Sequence, residues 1–529
     1  MPSRHTSSRD QRRRADFDAL LERAEPAFDC FYIEEPRLVF GGGFTAVDPK
    51  VGITDFGPLG TEPYSSKTVR LGIIGTGASI DAAQAYLERS QERVTPGLNS
   101  KERHYDTLCF PDFPGARPGA GLRARFHVAS TRDIPLERFE RAVAGANVAG
   151  KLRAVVELLE KQLEMLKAIE PVPDVVLVVL PKCVEDECAT VGSSFRHRRV
   201  PLTGTEKIAR SFARESSRTG QHMLDFAFTE PEPDTTSGYW NLHHALKAHA
   251  MRHGIPTQMA WESTLRGHGL TQDPATMAWN FFTALYYKAN NIPWQLEVLP
   301  ENTCYVGISF FRVNPNEATL HTSLAQAFSG HGEGLVLQGP KAICDRDRDP
   351  APHLGEREAE QLLRGVLQLY ADFHEMPPRR VVLHKSSRYW PEELRGFERA
   401  LDGVPRHDFL TLERLGHRFY RTGNAPPVRG TVVTLAPRQH VLYTVGYVPA
   451  LGAFPGARPP LPLEIIEHHG HSSAEVVCRE ILALTKVNWN SCNFASVEPI
   501  TLQFARTVGR VMRELPPDVP AARLYRFYM

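Results

Sequence analysis

No apolar run in this 529-residue chain is long: the longest, Val175–Leu180, is far too short to cross a bilayer. The N-terminus is polar and arginine-rich and lacks the apolar core of a secretory signal. Eight cysteines are scattered along the chain at positions 30, 109, 183, 188, 304, 344, 478 and 492, and no two form a CxxC pair. That leaves zinc ribbons and thioredoxin-like redox motifs without support and gives no secreted disulfide framework. A reducing, cytoplasmic setting away from membranes is the expectation. The chain also lacks a charge excess: its formal net charge is +1. A nucleic-acid-binding role would therefore need positive charge gathered at one place rather than spread over the surface. There is no internal repeat and no low-complexity block.

What is present is an ordinary globular composition, with 42% apolar and 23% charged residues, and enough length for at least two domains. Residues 1–30 are expected to form a disordered tail, 31–300 a lead-in and a first α/β unit, and 301–529 a second unit. In the first unit, Val69–Leu87 reads as strand, glycine turn and helix; Lys151–Ile169 is a strongly amphipathic helix, and PDVVLVVLP a strand buried on both faces. In the second, CYVGISFFRV and RVVLH read as buried strands, LHTSLAQAFSGHGEGLVLQGP as hairpin-like, and Glu356–Phe373, Glu392–Leu401, Glu475–Leu484 and Pro499–Arg513 as helices. Further strands are expected at Gly430–Leu435 and His440–Val448, and the apolar, aromatic end RLYRFYM is expected to be tucked in.

One stretch carries the clearest chemistry. Trp240–Trp261 reads as a helix that stops at Gly254 and turns straight into a strand bearing Gln258. His243 and Lys247, four apart, share a helix face. Lys288 comes from a second helix end, just before an Asn-Asn-Ile-Pro turn. Two lysines, an amide and an imidazole converging near helix ends suit a terminal phosphate.

Other features admit a functional and a plainer reading. Gly75 and Gly77 fit the start of a dinucleotide fingerprint, but Ile80 stands where its third glycine should be and no acid-ended strand follows. A simple strand-to-helix turn is favoured over a NAD-dependent oxidoreductase. The basic cluster Phe195–Val200 is read as a solvated loop before a backbone contact. His249 and His253, and His468, His469 and His471, are read as hydrogen-bonded or solvated rather than as metal ligands, since no HExxH motif or nearby cysteine accompanies them. Arg506, Arg510 and Arg513 have roughly helical spacing and suit either a solvated face or a nucleic-acid backbone.

Taken in order, HHALKAHAMRHGIPTQ, YYKANNIPWQL, CYVGISFF, RVVLHKSSRYWPEELRGF and ILALTKVNWNSCNFASVEPITLQFA resemble the MID and PIWI domains of Argonaute proteins, over roughly Tyr32 to Met529. The sequence leaves no length for the N-terminal and PAZ domains of long members, so the resemblance is to short prokaryotic Argonautes. It implies an α/β fold in which a Rossmann-like MID domain is followed by an RNase H-like PIWI domain. It also implies that His243, Lys247, Gln258 and Lys288 hold a guide's 5′-phosphate, with His243 stacking on the first base. The carboxylate of Met529 is implied to help hold Mg2+ on that phosphate.

Active members of the family cut nucleic acid with divalent metals held by acidic side chains, because two cations need anionic oxygen ligands. Here the matching positions are Ser309, Ser386 and Asn488. Glu333 fits the glutamate-finger position, but one acid cannot hold two metals. The resemblance thus implies a guide-binding subunit without cleavage activity. Its guide is expected to be RNA and its target complementary single-stranded DNA. Its output would come from a separate APAZ-containing effector subunit (TIR, sirtuin-like or nuclease), in defence against plasmids or phage, with a higher oligomer as one possible activated form. The alternative is an active guide-dependent nuclease.

Overall fold

The computed structural model describes residues 28–64, 66–97, 110–145, 147–188, 241–267, 273–297, 299–300, 302–311, 320–328 (backbone only), 334–343, 345, 348, 351–414, 419, 426–454 and 460–529. Trp240, the cluster Phe195–Val200 and Glu333 lie outside the described residues, as does the expected tail up to residue 27.

The first unit is built on a four-stranded sheet, β1 (Lys67–Gly75), β2 (Ala124–Asp133), β3 (Val175–Leu180) and β4 (Thr257–Trp261). The order is β2-β1-β3-β4 and every pairing is parallel. Parallel strands need crossover helices on both faces. That is why VVLVVL in β3 is buried at every position. Helix α1 (Gly77–Arg89) follows β1, and α2 (Val148–Lys167) precedes β3. In α2, Leu152, Val155, Val156, Leu159, Leu163 and Leu166 recur at helical spacing and are buried, while Asn147 caps the first turn through Gly150 N–H. Helices α3 (Leu242–Ala250) and α4 (Pro274–Lys288) complete the unit.

The second unit centres on a large mixed sheet. Its core is β5 (Thr303–Phe311), β6 (Leu320–Phe328), β7 (Gly334–Leu337), β8 (Arg380–Lys385) and β9 (Arg406–Glu413). The sheet continues through β10 (Thr431–Ala436), β11 (Gln439–Leu442) and β12 (Leu463–Gly470). Strands β5, β8 and β9 are parallel neighbours; β6 and β7 extend one side antiparallel, and β12, β11 and β10 the other. Helices α5 (Glu356–His374) and α6 (Pro391–Ala400) are followed by α7 (Ala474–Leu484) and α8 (Ile500–Met512). Gly307 in β5 explains the glycine of the CYVGIS motif: a Cβ there would collide with the Thr501 carbonyl of α8, which crosses this central strand.

The lead-in joins the two units. Strand Asp29–Tyr32 forms the outer edge of the second sheet, paired with β10, so Asp29 and Cys30 belong to the fold and not to the tail expected over residues 1–30. Four residues pairing with Thr431–Thr434 supply backbone hydrogen bonds that a polar tail sequence does not advertise. Leu38–Val39 and Thr45–Ala46 pair with Gln295–Leu296 at the end of the first unit. Glu35 is held by Arg429 at 2.8 Å and by Lys486 at 2.9 Å, with Lys486 also donating to the Val47 carbonyl. Trp294 Nε1 donates to the Lys486 carbonyl and Trp489 Nε1 to the Trp294 carbonyl. The NNIPWQL and LTKVNWN motifs therefore lock each other across the junction of the units.

Candidate nucleic-acid 5′-end site

The site begins with the way α3 starts and stops. Asn241 caps it, its Oδ1 accepting from His244 N–H at 3.2 Å. The helix tightens into a 3-10 turn over Met251–His253, and Gly254 at φ 66° takes the left-handed conformation that ends it. The chain then enters β4, where Gln258 sits in register with Leu177 of β3. Helix α4 starts at Asp273-Pro274 and ends at Lys288; Asn290 follows at φ 64°, a left-handed position that Asn tolerates. Replacing Asn241 by Ala is expected to cost about 1 kcal/mol of stability, read as a lower denaturant midpoint with an unchanged slope.

The structure brings Lys247, Gln258 and Lys288 together. Lys288 Nζ donates to Gln258 Oε1 at 2.5 Å. Lys247 Nζ lies 3.4 Å from the Tyr528 carbonyl, and Met529 beside it is buried. Both lysines are almost wholly buried, 3% and 1% exposed. Burial, together with the charge of Lys288, pushes Lys247 well below the usual lysine range; burial pushes Lys288 down to about 7. His243 is half-buried and held well below the usual histidine range by burial and by Lys247, His244 and Lys288. These mutual effects place His243 in the same electrostatic cluster. No carboxylate figures among the groups acting on any of the three. A cluster of buried cationic groups with no side-chain carboxylate paired to it is costly on its own and is relieved by an anion.

One part of the sequence picture changes. The cations sit toward the C-terminal ends of α3 and α4, where the helix dipole is negative. The open N-terminus of α3 is covered instead by Glu514, whose Oε1 accepts from Asn241 N–H at 3.1 Å. Attraction for a phosphate must therefore come from the side chains and not from a helix end. Residues that the sequence reading missed also belong here. His244 is pushed down to about 3 by burial and by the charges of Lys247, of Arg510 on α8 and of Arg513, the residue that ends it. Arg506 instead pairs with Glu498 at 2.7 Å. Only the doubled HH in the sequence hinted at His244.

In the second unit, Ile308 pairs with Lys385, so Ser309 and Ser386 come next to each other at the C-terminal ends of parallel β5 and β8. Ser309 is buried and Ser386 exposed. Asn488, in the segment between α7 and α8, donates to Gln503 Oε1 at 3.4 Å and accepts from Asn490 N–H at 3.1 Å. An acid at this end of the sheet, Glu467 on β12, lies beyond β9 and is taken up by Tyr389 N–H at 3.0 Å and Thr411 Oγ1 at 2.8 Å. Glu393 is taken up by Lys385 at 2.6 Å.

The plainer readings fit their surroundings. At Gly75-Thr76-Gly77, Thr76 caps α1, and Ser79 Oγ donates to Glu262 Oε2 at 2.7 Å. Glu262 thus puts a carboxylate where a dinucleotide pyrophosphate would need to sit. Gly75 serves packing, since a Cβ would come within 2.7 Å of the Val179 carbonyl oxygen. His249 pairs with Glu160 at 2.7 Å and His468 with Asp408 at 2.8 Å. Among the described residues no group of three or more His, Cys, Asp or Glu could hold a metal, and no helix is long and apolar enough to cross a membrane.

No family model matches the chain. The argonaute protein of Aquifex aeolicus (strain VF5) is 23% identical over 276 residues, covering 51% of this chain and 36% of that protein. Clostridium butyricum Argonaute bound to a guide DNA (5′ deoxycytidine) and a 19-mer target DNA matches the fold with a TM-score of 0.59 at 14% identity, over 94% of this chain and 55% of that one. Aa-Ago with externally bound siRNA matches with a TM-score of 0.53 at 15% identity, over 94% and 55%. The chain is Argonaute-like in sequence and fold, with a mixed α/β architecture similar to the MID and PIWI domains. It spans between about a third and a little over half of the length of these relatives.

Proposed function

We propose that this chain holds the 5′-phosphate of a short guide strand, RNA by preference, and presents it for pairing with single-stranded DNA. The observation that carries this reading is the convergence of Lys247, Gln258 and Lys288 with no side-chain carboxylate of the described residues named among the groups that act on the two lysines. A terminal phosphate supplies the missing negative charge. Lys288 would shift a hydrogen bond from Gln258 Oε1 to a phosphate oxygen, Lys247 would do so from the Tyr528 carbonyl, and the amide of Gln258 can donate as well. His243, neutral in its buried setting, offers a flat ring to the first base. The solved Clostridium butyricum relative carries a guide and a target DNA, which is consistent with this use of the fold.

Mg2+ suits the same spot. The Met529 carboxylate, beside the Tyr528 carbonyl, would hold it together with phosphate oxygens, an all-oxygen donor set. Bound there, the ion would offset phosphate charge and contribute to retention of the guide. The test is direct: fluorescence anisotropy with matched 5′-phosphate and 5′-hydroxyl guides, in RNA and DNA, with Mg2+ or EDTA. Equal affinity for the two ends would sink the reading.

The second unit is proposed not to cut. Serines at positions 309 and 386 and an asparagine at position 488 are neutral and bind magnesium poorly. Incubation with guide, matched target and Mg2+ or Mn2+ is expected to leave the target intact; cutting opposite the guide would establish the alternative, an active nuclease. Without cleavage, the signal passes to a partner, an APAZ-containing effector with a TIR, sirtuin-like or nuclease domain, acting in cytoplasmic defence against plasmids or phage. Affinity capture of the chain from its native host is expected to recover that subunit, and recovery of the chain alone counts against it.

A further inference from the structure

Asn488 of the LTKVNWN motif stands where the family resemblance puts a metal ligand, but its neighbour Trp489 reaches into the first unit. Trp489 is wholly buried and spans the turn that follows α4. Before the turn its ring packs on Tyr287, with 4.8 Å between centroids and 34° between planes. After the turn its Nε1 donates to the Trp294 carbonyl at 3.1 Å, and Trp294 is held in its own place by Nε1 donating to the Lys486 carbonyl at 2.9 Å. Further back on α4, Asn280 Oδ1 accepts from Cys492 N–H at 2.9 Å. Asn280 and Tyr287 are seven apart and so share one helix face. That face rests on residues 489–492 of the second unit. Lys288, the next residue after Tyr287, lies about 100° further round the helix and reaches across to Gln258 of β4 at 2.5 Å. A lysine offers a point charge on a flexible stem, so its place depends on how its own stretch of backbone is held. Here that stretch is the last turn of α4, which runs straight into the left-handed Asn290. Trp489 grips it on both sides.

We infer that Trp489 is a positioning residue of the 5′-phosphate site: through Tyr287 and Trp294 it sets the last turn of α4 and with it the place of Lys288. A binding group must be held to within about 0.5 Å of its productive position, so a small rotation of that turn is enough to spoil the contact with a phosphate oxygen. This inference rests on the guide-binding reading. It adds that the pocket is completed from the second unit, by a segment whose metal-ligand position holds a neutral amide.

The test compares Trp489→Leu, Trp489→Phe and Tyr287→Leu with the parent, each alone and combined with Lys288→Met. Anisotropy reads the ratio of affinities for 5′-phosphate and 5′-hydroxyl guides, with thermal melting as the check on folding. Trp489→Leu is expected to lower that ratio about tenfold while the 5′-hydroxyl guide binds as tightly as to the parent. Trp489→Phe keeps a ring against Tyr287 and is expected to restore most of the ratio. Tyr287→Leu leaves the bond from Trp489 to Trp294 in place and is expected to repeat the loss. In the Lys288→Met background neither leucine variant should lower the ratio further, because both act through that lysine. A leucine variant that weakens both guides equally, or whose loss adds in full to that of Lys288→Met, makes Trp489 a packing residue only. Should Trp489→Leu fail to fold, Tyr287→Leu decides by the same two readings. If Lys288→Met itself keeps the parent's end preference, the phosphate reading fails. If Lys288→Met loses the preference while both leucine variants keep it, that reading stands and only the role of Trp489 falls.

Discussion

Replacing Lys247 and Lys288 together by Met is expected to erase the preference for 5′-phosphorylated guides and, in the same protein, to raise the melting temperature without guide. The two effects have one cause. In the guide-free pocket both lysines are buried, and among the described residues no side-chain carboxylate figures among the groups acting on them. Their acceptors, the Tyr528 carbonyl and Gln258 Oε1, are neutral. Burying a lysine against neutral acceptors is unfavourable, whether as a buried charge or as a proton given up on folding, and replacement by a side chain of similar volume and no charge removes the cost. With a phosphate present the balance inverts. Each lysine then makes a charge-assisted bond of about 1.5–3 kcal/mol, so the pair accounts for about 3–6 kcal/mol. That is about two to four powers of ten in the ratio of affinities for phosphate and hydroxyl ends. Anisotropy reads the ratio and differential scanning fluorimetry the stability. A double variant that keeps a strong end preference, or one that melts lower than the parent, would contradict the assignment.

The same residues show why some of the site was legible in sequence and some was not. Lys247, Gln258 and Lys288 could be found because each is fixed by local grammar: a helix face, a glycine stop, a strand start and a helix end before Asn-Asn-Ile-Pro. The VVLVVL strand was legible because both faces of a parallel sheet are apolar. Strands β9 and β12 were missed because RHDFLTLE and LEIIEHHG carry Asp408, Glu464, Glu467 and His468. These are tolerated in a sheet only because Arg380, Thr411, Tyr389 and Ser472 satisfy several of them from elsewhere in the chain. Sequence spacing does not reveal such partners. The edge strand Asp29–Tyr32 was hidden for the same reason, since its pairing with β10 is entirely non-local. Glu514 over the start of α3 is another case: Asn241 N–H finds its acceptor on a side chain from beyond α8, which no local spacing reveals.

Guide affinity is expected to fall as pH rises through and above 7, and to fall mainly for phosphorylated guides. Lys288 titrates at about 7 in the free pocket, held down by burial, and Lys247 lies well below its ordinary range. A bound phosphate favours the charged lysine, so its pKa rises on binding. Between the free and bound values the complex holds a proton that the free protein has lost, and binding must take that proton up. Affinity then drops by up to about tenfold per pH unit for each lysine involved. The second ionisation of a terminal phosphate, near pH 6, works in the opposite direction at the acid end and confines the fall to the side above 7. Folding of the guide-free protein has the opposite slope. In the unfolded chain lysine titrates near 10.5, so between about 7 and that value the unfolded state binds the extra proton and stability rises with pH. Anisotropy from pH 6 to 9 reads the first trend, and calorimetry in buffers of different ionisation enthalpy counts the protons taken up. In Lys288→Met the slope should shrink, and a 5′-hydroxyl guide should show little of it in any variant. A parent affinity that stays flat from pH 7 to 9, with no proton uptake by calorimetry, would mean that the two lysines are already charged before the phosphate arrives.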